Sequence, residues 1–301
     1  MTLHPQSAIL IRAMKEQNAP GWHEMPPVQG RLGFSGLTDL FGPKIDVFEV
    51  KNLDFDGLGA RFYRPSEEDQ LPVVVYFHGG GWVLGDVETH DALCRRIANA
   101  SNCCVVSVDY RVAPEAQYPL PLDDCEFAVR QVASRSAELN ADGSCISLAG
   151  DSAGGNLAAA TALRLRDAGD LFVQSMVLIY PVIERDFDTP SYLQFATDHG
   201  LSRDAMRWYW QQYVGEELPQ PNYAELASAN LQDLPRTMVL TAEYDVLRDE
   251  GETFAENLRA AGVSVVHKRF AGMLHGFVHF GGFFDTSAEA IADIASFLAS
   301  R

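Results

Sequence analysis

Five runs of apolar residues set what this chain can become: VVVYF at 73–77, CCVVSVDY at 103–110, CISLAG at 145–150, SMVLIY at 175–180 and TMVLTA at 237–242. Each has the length of a strand, carries β-branched residues and lacks polar alternation, which is the pattern of strands buried on both faces. Helical patterns lie between the early ones, with Leu93, Ile97 and Ala98 in one and Leu122, Cys125, Val129 and Val132 in another. Buried strands separated by helices predict an α/β fold around a mostly parallel sheet. Ahead of them, residues 44–65 read as two exposed-face strands joined by a turn at Asp56-Gly57. Behind them come a helix near 251–261, the strand VSVVHKRF and a closing helix over TSAEAIADIASFLAS, so the sheet is expected to have eight strands.

The chain has 301 residues, 47% of them hydrophobic, enough for one large core with an appended part. Residues 1–45 begin as an amphipathic helix (Ile9, Leu10, Ala13, Met14) and continue through Pro20, Pro26, Pro27, Gly30, Gly33 and Gly36. This segment is too small for its own core and is expected to pack over something else. Residues 184–225 are too long for a simple crossover and carry Tyr192, Phe195, Trp208, Tyr209, Trp210 and Tyr213. They read as a helical insertion over the carboxyl edge of the sheet, whose rings either fasten it down or wall a pocket. The core is then divided into residues 46–183 and 226–301.

Twenty-three basic against 41 acidic residues give a net charge of −18, which repels nucleic-acid backbones and anionic membrane surfaces. No apolar run approaches the roughly 18–20 residues that span a bilayer. The opening MTLHPQSAILIRAMKEQ lacks the pattern of a secretory signal, so a soluble, cytoplasmic protein is expected. The five cysteines include no C-x2-C pair and read as buried thiols, with neither disulfide nor metal site expected.

The chemistry concentrates in LAGDSAGGN, residues 148–156. Gly150-x-Ser152-x-Gly154 stands between a strand and a helical pattern, the context in which a sharp turn pushes a serine outward as a nucleophile. A serine hydroxyl needs a base, and the base needs a carboxylate to orient it. Of His199, His267, His275 and His279, His275 follows the last strand in a loop that returns over the carboxyl edge. His267 lies inside the strand and reads as structural, and His279 is a rival four residues on. Asp245 lies just past TMVLTA, ahead of Glu243 as the orienting acid, while Asp249 and Glu250 read as charge complements at a helix start. HGGGWVLGD offers neither the lysine of a phosphate loop nor the helical continuation of a dinucleotide site. Its backbone N–H groups can instead join that of Ala153 around a developing oxyanion.

With HGGGW (78–82), DYRVAPEAQYP (109–119), GDSAGGN (150–156), YDVLRDEG (244–251) and HGF (275–277) in this order, the chain resembles the hormone-sensitive-lipase-like branch of the α/β-hydrolases. That branch includes bacterial carboxylesterases and arylacetamide deacetylases. The resemblance implies Ser152 as nucleophile, Asp245 as orienting acid and His275 as base, with Gly80, Gly81 and Ala153 as oxyanion donors. His78 would support the glycine loop, and residues 1–45 with 184–225 would form a cap. Phe34, Trp82, Leu84, Phe195 and Phe277 are candidates for a pocket rim. The implied activity is cofactor-free hydrolysis of short- to medium-chain acyl esters by way of an acyl-serine, with the ester and water as the only partners. An amidase or deacetylase with the same residues is the alternative. A non-catalytic receptor of the gibberellin-receptor kind is disfavoured because His275 accompanies Ser152 and Asp245. Oligomeric state is open, an exposed edge strand being one place where two copies could pair.

Overall fold

A computed structural model describes residues 2–18, 20–215 and 222–300. Its centre is one eight-stranded sheet built from β1 (Glu49–Phe55), β2 (Leu58–Arg64), β3 (Leu71–Phe77), β4 (Cys104–Val108), β5 (Ala141–Asp151), β6 (Val173–Ile179), β7 (Arg236–Tyr244) and β8 (Val265–Leu274). The order is β1-β2-β4-β3-β5-β6-β7-β8. The pairs from β4 through β8 are parallel, and β1 and β2 run antiparallel to their neighbours. All five apolar runs are therefore interior strands of the sheet.

Ten helices accompany the sheet among the described residues: α1 (Pro5–Gln17), α2 (Pro27–Ser35), α3 (Thr38–Phe41), α4 (Asp91–Ser101), α5 (Leu120–Ser134), α6 (Ala153–Asp167), α7 (Pro190–Gln194), α8 (Arg203–Val214), α9 (Arg248–Ala260) and α10 (Thr286–Ala299). None is long and apolar enough to cross a membrane. Strand side chains alternate, so each sheet face has its own core. On one face Val74, Tyr76, Val105 and Val177 pack with Leu93 and Ile97 of α4 and Ile291 and Ile294 of α10. On the other, Val73, Val75, Phe77, Leu148 and Leu178 pack with α5, α6 and α9.

The hairpin forms at the expected turn, with Phe55 opposite Leu58 and positive φ at both Asp56 and Gly57. Its second strand departs from the exposed-face expectation. β2 lies between β1 and β4, and Phe62 and Tyr63 are fully buried. The apolar face of α1 is only partly used: Leu10 and Ile11 pack against the core on the α4 and α10 side of the sheet. Ile9 and Met14 are 57% and 44% exposed, and Ser7 is the buried position. Polar contacts also hold α1: Ser7 Oγ donates to the Gly272 carbonyl at 2.8 Å, and Gln6 Nε2 donates to the Phe283 carbonyl at 2.6 Å.

Residues 184–215 and 222–225 carry α7 and α8, while 216–221 of the expected insertion lie outside the described residues, as do 1 and 19 of the N-terminal segment. α8 packs against the short 3₁₀ turn Trp22–Glu24, so the two segments meet. The aromatic cluster mainly fastens. Tyr213 stacks on Trp82 at 4.3 Å, Trp210 lies 4.7 Å from Trp82, and Tyr192, Phe195, Trp210 and Tyr213 are buried. Truncating a buried tryptophan typically costs about 3–5 kcal/mol. Trp210→Ala should accordingly lower the urea midpoint of unfolding, and an unchanged midpoint would show that α8 carries no weight in the fold.

Candidate active site

The sheet register dictates which loops become neighbours. Phe77 pairs with Gly150, Asp151 with Ile179, and Tyr244 with Leu274. Parallel strands end on the same edge, so the segments after β3, β5, β7 and β8 emerge side by side. Those segments contain His78–Gly81, Ser152, Asp245 and His275.

Ser152 occupies the turn between β5 and α6 with φ 55° and ψ −119°, a conformation that is unfavourable for a residue with a side chain. Its N–H donates to the Ile179 carbonyl at 2.8 Å, and its carbonyl accepts from Val182 and Asn156, both at 3.2 Å. The turn is this tight because α6 starts directly beneath β3. A Cβ at Gly154 would stand 1.9 Å from the Phe77 carbonyl oxygen, so only glycine fits there.

His275 joins the serine to the acid. Its Nε2 lies 3.0 Å from Ser152 Oγ and its Nδ1 lies 2.7 Å from Asp245 Oδ2. The carboxylate can only accept when ionised, so Nδ1 carries the proton and Nε2 is left to accept from the serine. Asp245 is almost fully buried, and its Oδ1 accepts the Leu247 N–H at 3.0 Å. Tyr180 packs on the His275 ring at 4.6 Å.

The glycine loop closes the other side. Gly80 and Gly81 have φ of +113° and +63°, a left-handed path on which the chain turns away from β3. The N–H groups of Gly80, Gly81 and Ala153 donate to no protein acceptor among the described residues. The Gly79 N–H, by contrast, donates to Asp151 Oδ1 at 2.9 Å. His78 is fully buried, stacks on Tyr110 at 4.2 Å and donates from Nδ1 to the Gly79 carbonyl at 2.8 Å.

The rivals sit elsewhere. His267 bonds Thr241 Oγ1 at 3.1 Å on β8, and His199 donates to the Thr197 carbonyl at 2.7 Å beside Tyr244. His279 is buried and donates to the Thr89 carbonyl at 2.9 Å. Glu243 accepts the Gly272 N–H at 2.7 Å, and Asp249 accepts the Ser191 N–H at 2.8 Å as well as Arg248. Glu250 corrects the helix-start reading. It is buried and accepts the Ile183 N–H at 2.7 Å, a partner outside its own helix, and burial pushes its carboxyl well above the usual range.

The five apolar side chains expected to rim a covered pocket are all buried. Phe277 is fully buried against Phe270 and Tyr180 in the core beneath His275. Trp82 is enclosed by Tyr213 and Trp210, Phe34 packs on Phe41 and His279, and Phe195 packs on Tyr244. Leu84 faces Gly30 of α2, where a Cβ would come within 3.2 Å of it. What reaches the glycine loop from above is Tyr209, whose ring would stand 2.2 Å from a Cβ at Gly81.

Sequence reasoning did not find the polar group beneath the loop. Asp151, His90 and His279 are buried together, with potential ligand atoms within 4.8 Å of one another. The two rings stack in parallel at 3.9 Å, so their in-plane lone pairs run side by side instead of converging on an ion. The group is a hydrogen-bonding cluster. The aspartate inside G-D-S-A-G was the available signal; His90 had none.

Among known proteins, residues 74–279 match the model of a family described as alpha/beta hydrolase fold. A carboxylesterase of Mycobacterium tuberculosis, NlhH, is 41% identical over 251 residues, covering 80% of this chain and 79% of that protein. The solved structure of the ester hydrolase EH1AB1 from the metagenome of Lake Arreo superposes with a TM-score of 0.95 at 35% identity, covering 99% of both chains. A hyperthermophilic esterase from the archaeon Pyrobaculum calidifontis gives 0.93 at 39% identity over 100% of this chain and 99% of that one.

Buried neutral groups give the fold opposing responses to pH. Burial, then His90, lowers His279 to about 3, and the same two causes lower His78 to about 4. Unfolded histidines take up protons near pH 6.5, so below that pH the unfolded state binds more protons and these two groups destabilise the fold. Glu250 acts the other way, since its raised value makes the folded state hold an extra proton above the ordinary glutamate range. His279→Phe should therefore compare better with the parent at pH 5 than at pH 8, and Glu250→Gln better at pH 8 than at pH 5. Melting temperatures at the two pH values check both signs, and equal shifts would contradict neutral burial.

Proposed function

The chain belongs to the alpha/beta hydrolase fold family, in its hormone-sensitive-lipase-like branch, and is a carboxylic ester hydrolase; from that premise we propose that it cleaves short- to medium-chain acyl esters through an acyl-serine on Ser152. The observation that carries this reading is the single line of hydrogen bonds from Ser152 Oγ through His275 to Asp245, with the N–H groups of Gly80, Gly81 and Ala153 left without protein acceptors.

In this mechanism Ser152 Oγ bonds the ester carbonyl carbon while His275 Nε2 takes its proton. Asp245 keeps the imidazole in the needed tautomer and balances the charge it acquires. The carbonyl electrons move onto oxygen, where Gly80, Gly81 and Ala153 donate to the new oxyanion; one such donor typically contributes about 3 kcal/mol. Collapse breaks the bond to the alcohol oxygen, which leaves with the proton from His275. Water then attacks the acyl-serine, giving its proton to His275, and the acid departs as Ser152 recovers the proton. These residues supply every proton transfer without a cofactor.

Two features support the preference for small acyl groups. Tyr209 lies directly over Gly81, and the large side chains around the glycine loop are packed against one another. We assign residues 1–45 and 184–225 to a cap, supported by the packing of α8 on Trp22–Glu24.

A serine-reactive phosphonate should label Ser152 alone, located by mass spectrometry, and aryl esters from acetyl to palmitoyl should turn over fastest at the short and medium lengths. Ser152→Ala and Asp245→Asn should each lower kcat by about 10⁴ or more. Labelling elsewhere with no ester turnover would sink the reading, and faster cleavage of a matched amide would favour the amidase alternative. Since His275 must be neutral to accept a proton, kcat/KM should fall in acid, and a flat profile down to about pH 4 would contradict its role.

A further inference from the structure

The carboxylate of Asp151 is attached to the backbone immediately before Ser152, yet its hydrogen bonds reach into the neighbouring loop. Oδ1 accepts from Tyr76 OH at 2.7 Å and from the Gly79 N–H at 2.9 Å. The same N–H stands 3.3 Å from His90 Nε2, and that nitrogen lies 3.4 Å from Asp151 Oδ1. The surroundings are fixed on every side. His90 stacks on His279, His279 stacks on Phe41 at 4.4 Å, and Thr89 Oγ1 lies 3.0 Å from His90 Nδ1. Beneath it Asp151 is paired to Ile179 in the sheet.

Burial alone would raise the Asp151 carboxyl, but His90, beside its Oδ1, and the Tyr76 hydroxyl outweigh it and hold it well below the usual carboxylate range. A buried anion of this kind is tolerated only where donors surround it, and charge-assisted hydrogen bonds are about twice as strong as neutral ones. One of its two short bonds goes to Tyr76, inside β3, where the backbone is already fixed by pairing on both sides. The other goes to Gly79, the second residue past the strand, where ladder pairing has ended. That bond therefore sets how the chain enters its left-handed path through Gly80 and Gly81.

We propose that Asp151 is a positioning residue for the oxyanion donors: by gripping the Gly79 N–H from the backbone that carries Ser152, it fixes the Gly80 and Gly81 N–H groups relative to the nucleophile. His78, expected from sequence to support this loop, bonds the adjacent Gly79 carbonyl and the Tyr110 hydroxyl, whereas Asp151 ties the loop to the segment that carries Ser152. The consequence is selective. Losing the grip displaces donors that matter most when negative charge develops, so the cost falls on the transition state and not on substrate binding.

The inference rests on the proposed acyl-serine reading, and the parent protein tests the two separately. Asp151→Ala, Asp151→Asn and the parent are compared in kcat, KM and affinity for a trifluoromethyl ketone, whose adduct with Ser152 carries an oxyanion. For Asp151→Ala, kcat should fall about 10²–10³-fold, the range for loss of one oxyanion donor, with KM within about threefold and ketone affinity falling in step. Asn retains an oxygen acceptor and should recover most of the loss. A folded Asp151→Ala with parental kcat, or a loss carried by KM with ketone affinity unchanged, overturns the proposal. If the Ala variant has no cooperative melt, Asp151→Asn decides: ketone affinity weakened about tenfold or less at constant KM supports the proposal, and unchanged affinity overturns it. A parent that neither hydrolyses esters nor labels at Ser152 refutes the acyl-serine reading itself, whereas a labelled, active parent beside an equally active Asp151→Ala refutes this inference alone.

Discussion

The backbone of Ser152 is held where side-chain-bearing residues rarely go, at φ 55° and ψ −119°, and the reaction edge is arranged around keeping it there. Such a conformation costs on the order of 1–3 kcal/mol and persists only where its surroundings over-determine it. Here the end of β6 grips it through the Ile179 carbonyl, Val182 binds its own carbonyl, and α6 begins at the next residue. The close approach of Gly154 to Phe77 then brings the first turn of α6 against the end of β3, which places the Ala153 N–H on the side of the glycine loop. One strained residue thus fixes the relation of three strands and a helix, and the outward serine follows from the same geometry.

An acidic chain that buries acids must satisfy each one separately: Asp91 and Asp124 are paired with arginines, and three others are met differently. Asp245 is matched by His275 and the Leu247 N–H. Asp151 is surrounded by a tyrosine hydroxyl, a backbone N–H and histidine. Glu250 accepts the Ile183 N–H, and burial pushes its carboxyl well above the usual range. The half-buried Arg96 is handled in the opposite sense: it donates to the carbonyls of Ala92, Phe41 and His279, and burial lowers it. Its bond to His279 anchors the segment that follows His275 to α4.

The legible parts were those governed by pattern along the chain. Uninterrupted apolar runs announced strands covered on both faces, and the turn residues Asp56-Gly57 set the hairpin register. Ser152, Asp245 and His275 were legible because each follows a strand in a short loop, and parallel strands deliver such loops to one edge. The unreadable parts depend on partners distant in sequence. β2 looked half-exposed because nothing local says that it will lie between β1 and β4. The apolar face of α1 suggested packing, which Leu10 and Ile11 supply, but nothing local announced the polar contacts to Gly272 and Phe283 from 265 and 277 residues away. Glu250 looked like a helix-start charge because its burial depends on Ile183, and His90 had no motif because its role comes from stacking on His279.

The glycine loop is therefore constrained from two directions that have different origins in the chain. From below, Asp151 ties it to the sheet. From above, Tyr209 covers Gly81, and Trp82, one residue later, is locked between Tyr213 and Trp210 of α8. A third connection enters from the N-terminal segment through stacked rings, from Phe41 to His279 to His90 and so to the Gly79 N–H. Electrostatic stabilisation of a transition state depends on donors that do not have to reorganise as charge appears. Packing rings on one side and a buried anion on the other meets that requirement without a rigid backbone, which three successive glycines could not provide by themselves. The segments over the sheet edge complete the mould in which the loop is cast.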